Sequence, residues 1–266
     1  MCKDCGCSTT RHRLLSDFNI NHQHGPSLPR VSLPVKKRRI SVEESLFEKN
    51  QKLAQANRRR FHAQELVVFN VMSSPGAGKT TLLGRLLPKL ALDYRLAVIV
   101  GDQETSIDSD RLRAAGIDAY QINTHSACHL DAKRVIDTVN NLDLNGLDWL
   151  IIENVGNLVC PAVFDLGENF RIALLSTTEG EEKPLKYPVL FHEAHLIAVT
   201  KSDLLPHLDF NQALLVENLR KMNSHAPIIF CSSKTSEGLE HLASALRHLA
   251  ARKEVSDVSR NANSYP

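Results

Sequence analysis

The stretch Ser73–Thr80, which reads Ser-Ser-Pro-Gly-Ala-Gly-Lys-Thr, constrains this 266-residue chain more than any other feature. An apolar, β-branched run at 66–72 precedes it, and a helical pattern at 81–87 follows it. Strand, glycine turn and helix in this order are typical of a phosphate-binding P-loop, whose converging backbone N–H groups bind phosphate oxygens. The sequence therefore predicts a nucleotide-binding protein, with Ser73 standing where the usual motif has glycine.

The residues of this loop have distinct expected roles in nucleotide binding. Small residues let the backbone come close to the phosphates, Lys79 is expected to reach the β- and γ-phosphates, and the Thr80 hydroxyl is expected to ligate Mg²⁺. The residues predicted to bind the nucleotide here are Gly76, Ala77, Gly78, Lys79, Thr80 and Thr81.

The composition argues against several classes of function. A formal net charge of +2 is too small to indicate nucleic acid or an anionic membrane as a partner. No apolar run reaches the roughly 18 residues that a membrane-spanning helix needs. The polar, cysteine-bearing N-terminus is unlike a secretory signal, and the cysteine spacing is unlike a secreted disulfide framework. We therefore expect a cytoplasmic protein.

From residue 66 onward, strand-like and helix-like segments alternate, which is the pattern of a parallel sheet with crossover helices. The predicted fold class is α/β, a P-loop NTPase with a mostly parallel sheet of about seven strands flanked by helices. The predicted strands are 66–72, 96–100, 119–122, 149–152, 171–175, 196–200 and 228–231. The predicted helices are 80–92, 109–115, 129–141, 209–223 and 237–252.

The chain divides into three predicted regions. Residues 1–40 are expected to form a flexible N-terminal metal-binding segment and linker, because proline and glycine interrupt them and apolar residues are sparse. The nucleotide-binding domain is expected to cover 41–252, and its first helix, 41–62, would start at the capping-box pattern Ser41–Glu44. The polar residues 253–266 are expected to form a disordered tail.

Two acidic residues follow predicted strands and are candidates for the magnesium site. Asp102 follows the second strand, and Glu153 follows a buried run and precedes Gly156. A carboxylate after a hydrophobic strand, with glycine soon after it, is typical of a Walker B acid and its switch. The predicted catalytic residues are Lys79, Thr80, Asp102 and Glu153, and of these Thr80, Asp102 and Glu153 are the predicted Mg²⁺ ligands.

A base-recognition motif follows the sixth predicted strand, in Ala198–Asp203. It resembles the guanine-specificity motif Asn-Lys-x-Asp, in which the aspartate accepts two hydrogen bonds from guanine and the lysine packs over the base. Adenine offers an amine and a bare ring edge instead, so Asp203 favours GTP over ATP. Thr200 replaces the asparagine of the motif. The residues predicted to bind the base are Lys201, Asp203, Ser232, Ser233 and Lys234, the last three lying where GTPases place a Ser-Ala-Lys loop.

The N-terminus carries a candidate metal site in Cys2, Cys5 and Cys7. Three thiols and the terminal amine would make a four-coordinate site, and Gly6 would let the chain fold around the metal. Soft thiolates suit Zn²⁺ or copper(I), and a planar arrangement including nitrogen would suit Ni²⁺. The alternative is an oxidisable tail that holds no metal.

Cys128, His129 and Cys160 form a second candidate metal site, inside the domain. Cys128 precedes a helical segment, and a helix N-terminus favours the thiolate form. Three ligands leave a fourth position for water, a residue of another chain or an exchanging partner. The alternative for Cys160 is that it packs as a small hydrophobic residue and binds no metal. Cys231 is expected to be such a core residue. Because Cys160 follows soon after Glu153, metal binding there is expected to be coupled to GTP.

These motifs together resemble the HypB family, the nickel-incorporation GTPases of hydrogenase maturation. The resemblance covers most of 41–250 and the first seven residues. Three signatures carry it, namely Glu153–Pro161 (Glu-Asn-Val-Gly-Asn-Leu-Val-Cys-Pro), Phe164–Gly167 (Phe-Asp-Leu-Gly) and Glu179–Pro188 (Glu-Gly-Glu-Glu-Lys-Pro-Leu-Lys-Tyr-Pro).

The resemblance implies a SIMIBI-class GTPase over 41–252, in which GTP promotes homodimerisation and hydrolysis is slow. It implies delivery of nickel to the large-subunit precursor of [NiFe] hydrogenase, with a HypA-like nickel metallochaperone as a partner. The implied cofactors are GTP or GDP, Mg²⁺, Ni²⁺ and Zn²⁺. It also implies two metal sites, a tight nickel site at Cys2, Cys5 and Cys7 and a weaker nickel or zinc site near the dimer interface at Cys128, His129 and Cys160.

Two stretches leave residue roles open. Before Cys128 the chain reads His125-Ser-Ala127, where the family usually shows glycine and lysine, so His125 is a candidate extra ligand. Lys183 and Lys186 are candidates for reaching phosphates across a dimer, with ordinary surface lysines as the alternative.

Three other functions compete with this interpretation. A urease-type nickel GTPase shares the P-loop class, but the terminal Cys-x-x-Cys-Gly-Cys and the run Leu158–Pro161 disfavour it. A nickel buffer with a vestigial nucleotide domain would bind metal without needing Lys79. A P-loop kinase for a small molecule would need an acceptor pocket, and no motif for one is evident.

Overall fold

The computed structural model describes residues 36–102, 105–125 and 127–262, and one parallel β-sheet forms the centre of this part of the chain. The sheet contains seven strands in the order β3-β2-β4-β1-β5-β6-β7, and every neighbouring pair is parallel. The strands are β1 (Val67–Ser73), β2 (Leu96–Asp102), β3 (Asp118–Asn123), β4 (Trp149–Glu153), β5 (Phe170–Ser176), β6 (Leu196–Thr200) and β7 (Ile228–Phe230). The predicted fold class and strands are confirmed.

Helices cover both faces of the sheet, as crossover connections between parallel strands require. The α-helices of the described ranges are α1 (Lys36–Ala63), α2 (Lys79–Leu90), α3 (Ile107–Ala114), α4 (Ala132–Val139), α5 (Cys160–Val163), α6 (Lys183–Lys186), α7 (Pro188–His192), α8 (Gln212–Met222) and α9 (Leu239–Ala262). The same described ranges contain 3₁₀ turns at Thr177–Glu179 and Ser202–His207. In these ranges no helix is both long and apolar enough to cross a membrane.

The hydrophobic core lies in layers above and below the sheet, because successive strand side chains point to opposite faces. Phe69 and Trp149 pack with α2 and α9 on one face, with ring centroids 5.1 Å apart. Val68 and Leu150 pack with α1 and α4 on the other face. A third cluster covers the β5–β6 half of that second face with α7 and α8. Every residue of β1 is buried, so the P-loop is anchored to a strand that is fully covered on both faces.

The carboxyl ends of the strands meet along one edge, where ligands bind in open parallel sheets. Val71 in β1 pairs with Glu153 at the end of β4, and the P-loop begins directly after Ser73. Asp102 ends β2, and Lys201 follows β6. Residues that lie far apart in the sequence therefore face one cleft.

Two predicted boundaries are wrong in the described part of the chain. Helix α1 begins at Lys36 instead of Ser41, so the capping-box pattern lies inside the helix, because the run after Pro34 contains good helix formers and no breaker. Helix α9 continues to Ala262, although a disordered tail was predicted from 253. Its last part contains neither glycine nor proline, so a polar composition alone did not end the helix.

Candidate functional site

The P-loop connects β1 to α2, and two of its glycines adopt backbone conformations that other residues rarely adopt. Gly76 and Gly78 have φ values of 74° and 93°, in the left-handed region that favours glycine. A Cβ atom at either position would meet nothing within 4 Å, so backbone conformation, not space, requires glycine there. Lys79 Nζ donates to Ser73 Oγ at 2.9 Å. Ser73 therefore gives the buried lysine a partner that glycine could not supply.

Thr80 and Glu153 form the polar base of the cleft. The Thr80 hydroxyl donates to Glu153 Oε1 at 2.7 Å. Glu153 is only 2% exposed, and its Oε2 has no hydrogen-bond partner among the described residues. Burial raises the pKa of Glu153 to about 7, and burial also lowers the pKa of Lys79. A buried carboxylate oxygen without a donor, beside a threonine hydroxyl, fits the oxygen ligands that Mg²⁺ prefers.

The cleft around these residues has a volume of about 670 Å³. Asp102 lines it from the end of β2 and accepts hydrogen bonds from Thr105, at 3.2 Å from the backbone N–H and 2.5 Å from the hydroxyl. Asp108 and Arg111 from α3 also line it, and sequence reasoning missed both. In the sequence, the only indication that they line the cleft was their position on α3, directly after the loop that follows Asp102.

The predicted base-recognition residues lie together beside the P-loop. Lys201 adopts a left-handed φ of 60° and donates from Nζ to the Gly76 carbonyl at 2.8 Å. Thr200 Oγ1 donates to the Ala77 carbonyl at 2.7 Å, so the threonine that replaces asparagine ties the motif to the P-loop. Asp203 Oδ1 accepts from Ser232 Oγ at 2.6 Å. The Lys234 backbone N–H donates to the same Ser232 hydroxyl at 3.1 Å, and Ser233 lies between them.

Cys128, His129 and Cys160 are brought together into one buried cluster, with one potential ligand atom from each lying within 4.8 Å of the others. The two sulfur atoms are 2.9 Å apart, and Cys128 Sγ is 3.6 Å from His129 Nδ1. Burial lowers the pKa of His129 to about 4, so the imidazole is neutral at physiological pH. Two thiols and a neutral imidazole are a donor set that suits a soft or borderline metal ion.

Several predicted metal residues stand apart from this cluster. Cys2, Cys5 and Cys7 lie outside the described residues. His125, a candidate extra ligand, does not belong to the three-residue group that the described part of the chain brings together. Cys231 is fully buried in the core beneath α9, as predicted for a packed residue, and burial raises its pKa to about 12.

The loop between Glu153 and Cys160 connects the cleft to the metal-ligand cluster. A Cβ atom on Gly156 would lie 2.9 Å from Pro75 Cα, so this loop packs directly against the P-loop backbone. Asn157 lies further along, where its Oδ1 accepts from the Cys160 N–H at 3.4 Å and its Nδ2 is 3.8 Å from the Cys160 sulfur. One short segment therefore contacts the P-loop at one end and supplies a metal-ligand candidate at the other.

The two lysines of the 179–188 signature have different surroundings. Lys183 lies 3.4 Å from Glu179, whose Oε2 accepts from the Ser74 hydroxyl at 2.5 Å, so this lysine is linked to the P-loop through one carboxylate. Lys186 pairs with Glu182 at 2.9 Å, and both of these side chains are largely exposed.

Replacing Glu153 by glutamine is expected to raise the free energy of unfolding of the nucleotide-free protein at pH 8. The folded pKa of Glu153 is about 7, against an ordinary value of 4.5, so its favourable contribution is complete below pH 4.5 and is lost as the pH rises through 7. The gain over wild type should reach at most about 3 kcal/mol at pH 8 and shrink towards pH 5.5. Urea unfolding at both pH values measures it, and His129 titrates equally in both proteins. An equal difference at the two pH values would contradict this expectation.

Comparison with known proteins places these features in a family context. The family model described as "CobW/HypB/UreG, nucleotide-binding domain" matches residues 67–230. The chain is 45% identical to the hydrogenase maturation factor HypB of Azotobacter chroococcum mcd 1, over 90% of this chain and 79% of that one. It is 40% identical to the hydrogenase/urease maturation factor HypB of Helicobacter pylori J99, over 77% and 85%. The crystal structure of HypB from Helicobacter pylori in complex with nickel matches with a TM-score of 0.74 at 39% identity, covering 77% of this chain and 96% of that one.

Proposed function

Since the chain belongs to the CobW/HypB/UreG family, and within it to the hydrogenase maturation factors HypB, we propose that it is a GTP-hydrolysing nickel metallochaperone. In this proposal, GTP-dependent dimerisation gates the transfer of nickel to the large-subunit precursor of [NiFe] hydrogenase. The observation that carries the proposal is the loop from Glu153 to Cys160, which joins the phosphate cleft to a buried Cys-His-Cys cluster.

The proposed nucleotide site assigns a role to each polar group of the cleft. Lys79 compensates charge on the β- and γ-phosphates, and Asp203 accepts hydrogen bonds from guanine while Lys201 covers the base. Thr80 and Glu153 would hold Mg²⁺, with Asp102 as a further ligand. The bound ion would supply positive charge that offsets the negative charge developing on the phosphates during hydrolysis. Regulation, rather than bulk turnover, is the proposed use of this hydrolysis.

The proposed cargo is Ni²⁺, with Zn²⁺ as the competing ion at the same donors. Cys128, His129 and Cys160 would hold it in the domain, which is supported by the nickel complex of the Helicobacter pylori HypB that this chain resembles. Cys2, Cys5 and Cys7 are proposed as a second, tighter site. The proposed partners are a second copy of the chain, a HypA-like nickel metallochaperone and the hydrogenase precursor.

Deletion of the gene tests this function. The proposal expects loss of [NiFe] hydrogenase activity, with recovery when excess nickel is added to the medium. Loss that excess nickel does not relieve would contradict a role in nickel supply.

A second candidate function is nickel delivery to urease. It is favoured by one observation, that the Helicobacter pylori relative carries the name hydrogenase/urease maturation factor. The same deletion strain separates the candidates, because loss of urease activity alone would favour this second function.

Replacing Asp203 by asparagine is expected to weaken GTP binding by about 10²- to 10⁴-fold, because two charge-assisted hydrogen bonds of about 1.5–3 kcal/mol each are lost. Xanthosine triphosphate should bind better to the variant than GTP does, since xanthine presents a carbonyl where guanine presents an amine. Titration with both fluorescent nucleotides measures the change. Asp209→Asn, at an exposed position in the same loop, is the matched control. Unchanged GTP affinity in the Asp203 variant would contradict the assignment of the base site.

A further inference from the structure

Asn154 is a fully buried polar residue directly after Glu153, and its side chain joins two functional segments. Its Oδ1 accepts from the Val155 backbone N–H at 2.9 Å and from the Leu130 backbone N–H at 3.1 Å. Val155 lines the nucleotide cleft, and Leu130 directly follows the metal-ligand candidates Cys128 and His129. One oxygen atom therefore holds the backbone of both loops.

The other end of the Asn154 side chain enters a buried polar chain. Its Nδ2 donates to Asn70 Oδ1 in β1 at 3.2 Å. Asn70 Nδ2 donates to Glu168 Oε1 at 3.3 Å, and Arg171 Nε donates to the same carboxylate oxygen at 2.7 Å. Arg171 also donates to the Ala162 carbonyl at 3.1 Å, in the short helix that begins at Cys160. Both segments that carry metal-ligand candidates are thus tied, directly or indirectly, to Asn154.

The backbone of Asn154 is held separately from its side chain. Its N–H donates to the Val71 carbonyl at 3.0 Å, which keeps the residue in register with β1. Because the backbone is fixed in this way, movement of the loop after Glu153 changes the hydrogen bonds to Asn154 Oδ1 and through them reaches Leu130. Leaving a buried amide oxygen without its hydrogen bonds is costly. The two hydrogen bonds to Asn154 Oδ1 therefore favour one arrangement of the Val155 and Leu130 backbones relative to each other.

We propose that Asn154 is the positioning residue that couples nucleotide binding to the geometry of the Cys128-His129 segment. This inference rests on the proposed function, because it names the residue through which GTP and metal would affect each other. Binding of Mg²⁺-GTP would place a ligand against Glu153 and against the loop that packs on Pro75. The resulting movement of this loop shifts the Val155 N–H relative to Asn154 Oδ1. The bond to Leu130 changes with it and alters the position of His129. Because coupling is reciprocal, metal at the cluster alters nucleotide affinity by the same factor.

The test measures the affinity of a fluorescent, non-hydrolysable GTP analogue with and without Ni²⁺. The full-length protein is used, with Cys2, Cys5 and Cys7 replaced by serine so that only the domain site responds. Allosteric coupling is typically about 5- to 150-fold, and we expect a ratio of affinities in that range for this parent protein. Asn154→Ala is expected to bring the ratio to within about twofold of one, while the Ni²⁺–thiolate absorption of the domain site persists. Asn57→Ala, which removes buried hydrogen bonds to the carbonyls of Ala132 and Leu166 but none near Glu153, should keep the parent ratio.

The outcomes separate this inference from the function on which it rests. A parent ratio of one would overturn both. A parent ratio above fivefold that Asn154→Ala retains would overturn this inference alone. If Asn154→Ala does not fold, hydrogen exchange of the Leu130 amide in the parent protein decides, because the inference requires its protection to change when the GTP analogue binds. Unchanged protection would overturn it.

Discussion

Replacing Lys79 by alanine is expected to lower GTP turnover by about 10²- to 10³-fold, the usual effect of removing one preorganised group that stabilises transition-state charge. The ammonium group is nearly buried and held by Ser73, so it is already placed before a nucleotide arrives. Alanine would leave the γ-phosphate without this cation and would leave the Ser73 hydroxyl without its donor. Single-turnover hydrolysis at saturating GTP measures the loss.

Lys89→Ala is the matched control for the Lys79 variant, because Lys89 lies on the exposed side of the same helix. It should retain wild-type turnover. In cells, the Lys79 variant should also fail to support nickel delivery, whereas a nickel buffer with a vestigial nucleotide domain would keep its function. Retention of function in the Lys79 variant would therefore favour the buffer.

Replacing Cys160 by serine is expected to weaken nickel binding at the domain site by at least about 100-fold. Loss of groups that only support a metal ligand typically costs about 10- to 100-fold in affinity, and this change removes a ligand itself. A serine hydroxyl stays protonated at neutral pH and is a harder donor than a thiolate. Competition titration, with the three N-terminal cysteines replaced by serine, measures the effect.

Cys231→Ala is the matched control for the Cys160 variant. Cys231 is also buried, but it packs in the hydrophobic cluster on the other face of the sheet, so its loss should leave nickel affinity unchanged. Equal nickel affinity in the Cys160 and Cys231 variants would contradict the assignment of the domain site.

The strands could be predicted from the sequence because the pattern of apolar residues that marks a strand lies within a few consecutive residues. The run 149–152 is apolar throughout and ends at an acidic residue, which is the pattern of a short strand buried on both faces of a parallel sheet. The short helices at Lys183–Lys186 and Pro188–His192 were not predicted, because each has too few residues to show a helical period. The helix start predicted at Ser41 was wrong because a capping-box pattern was taken for a helix end, and the tail predicted from 253 was wrong because polar composition was taken for disorder.

The motif residues of the site were predictable, but the contacts that organise them were not. Cys128 and Cys160 could be proposed as one site from their residue types, whereas their 2.9 Å sulfur separation depends on how two loops pack. Asn70 gave a weaker signal, since an asparagine inside an apolar strand is unusual and a buried hydrogen-bond partner explains it. Identifying that partner as Asn154, directly after β4, requires the sheet order, which periodicity does not supply.

The most direct test of GTP-gated metal handling is nickel affinity measured in the two nucleotide states. The protein with serine at positions 2, 5 and 7 is titrated with Ni²⁺ in the presence of Mg²⁺-GDP and, separately, of Mg²⁺ with a non-hydrolysable GTP analogue. Because the Glu153–Cys160 loop contacts the P-loop and supplies a ligand candidate, the two dissociation constants should differ by about fivefold or more. Equal dissociation constants in the two nucleotide states would contradict a nucleotide-controlled metal site.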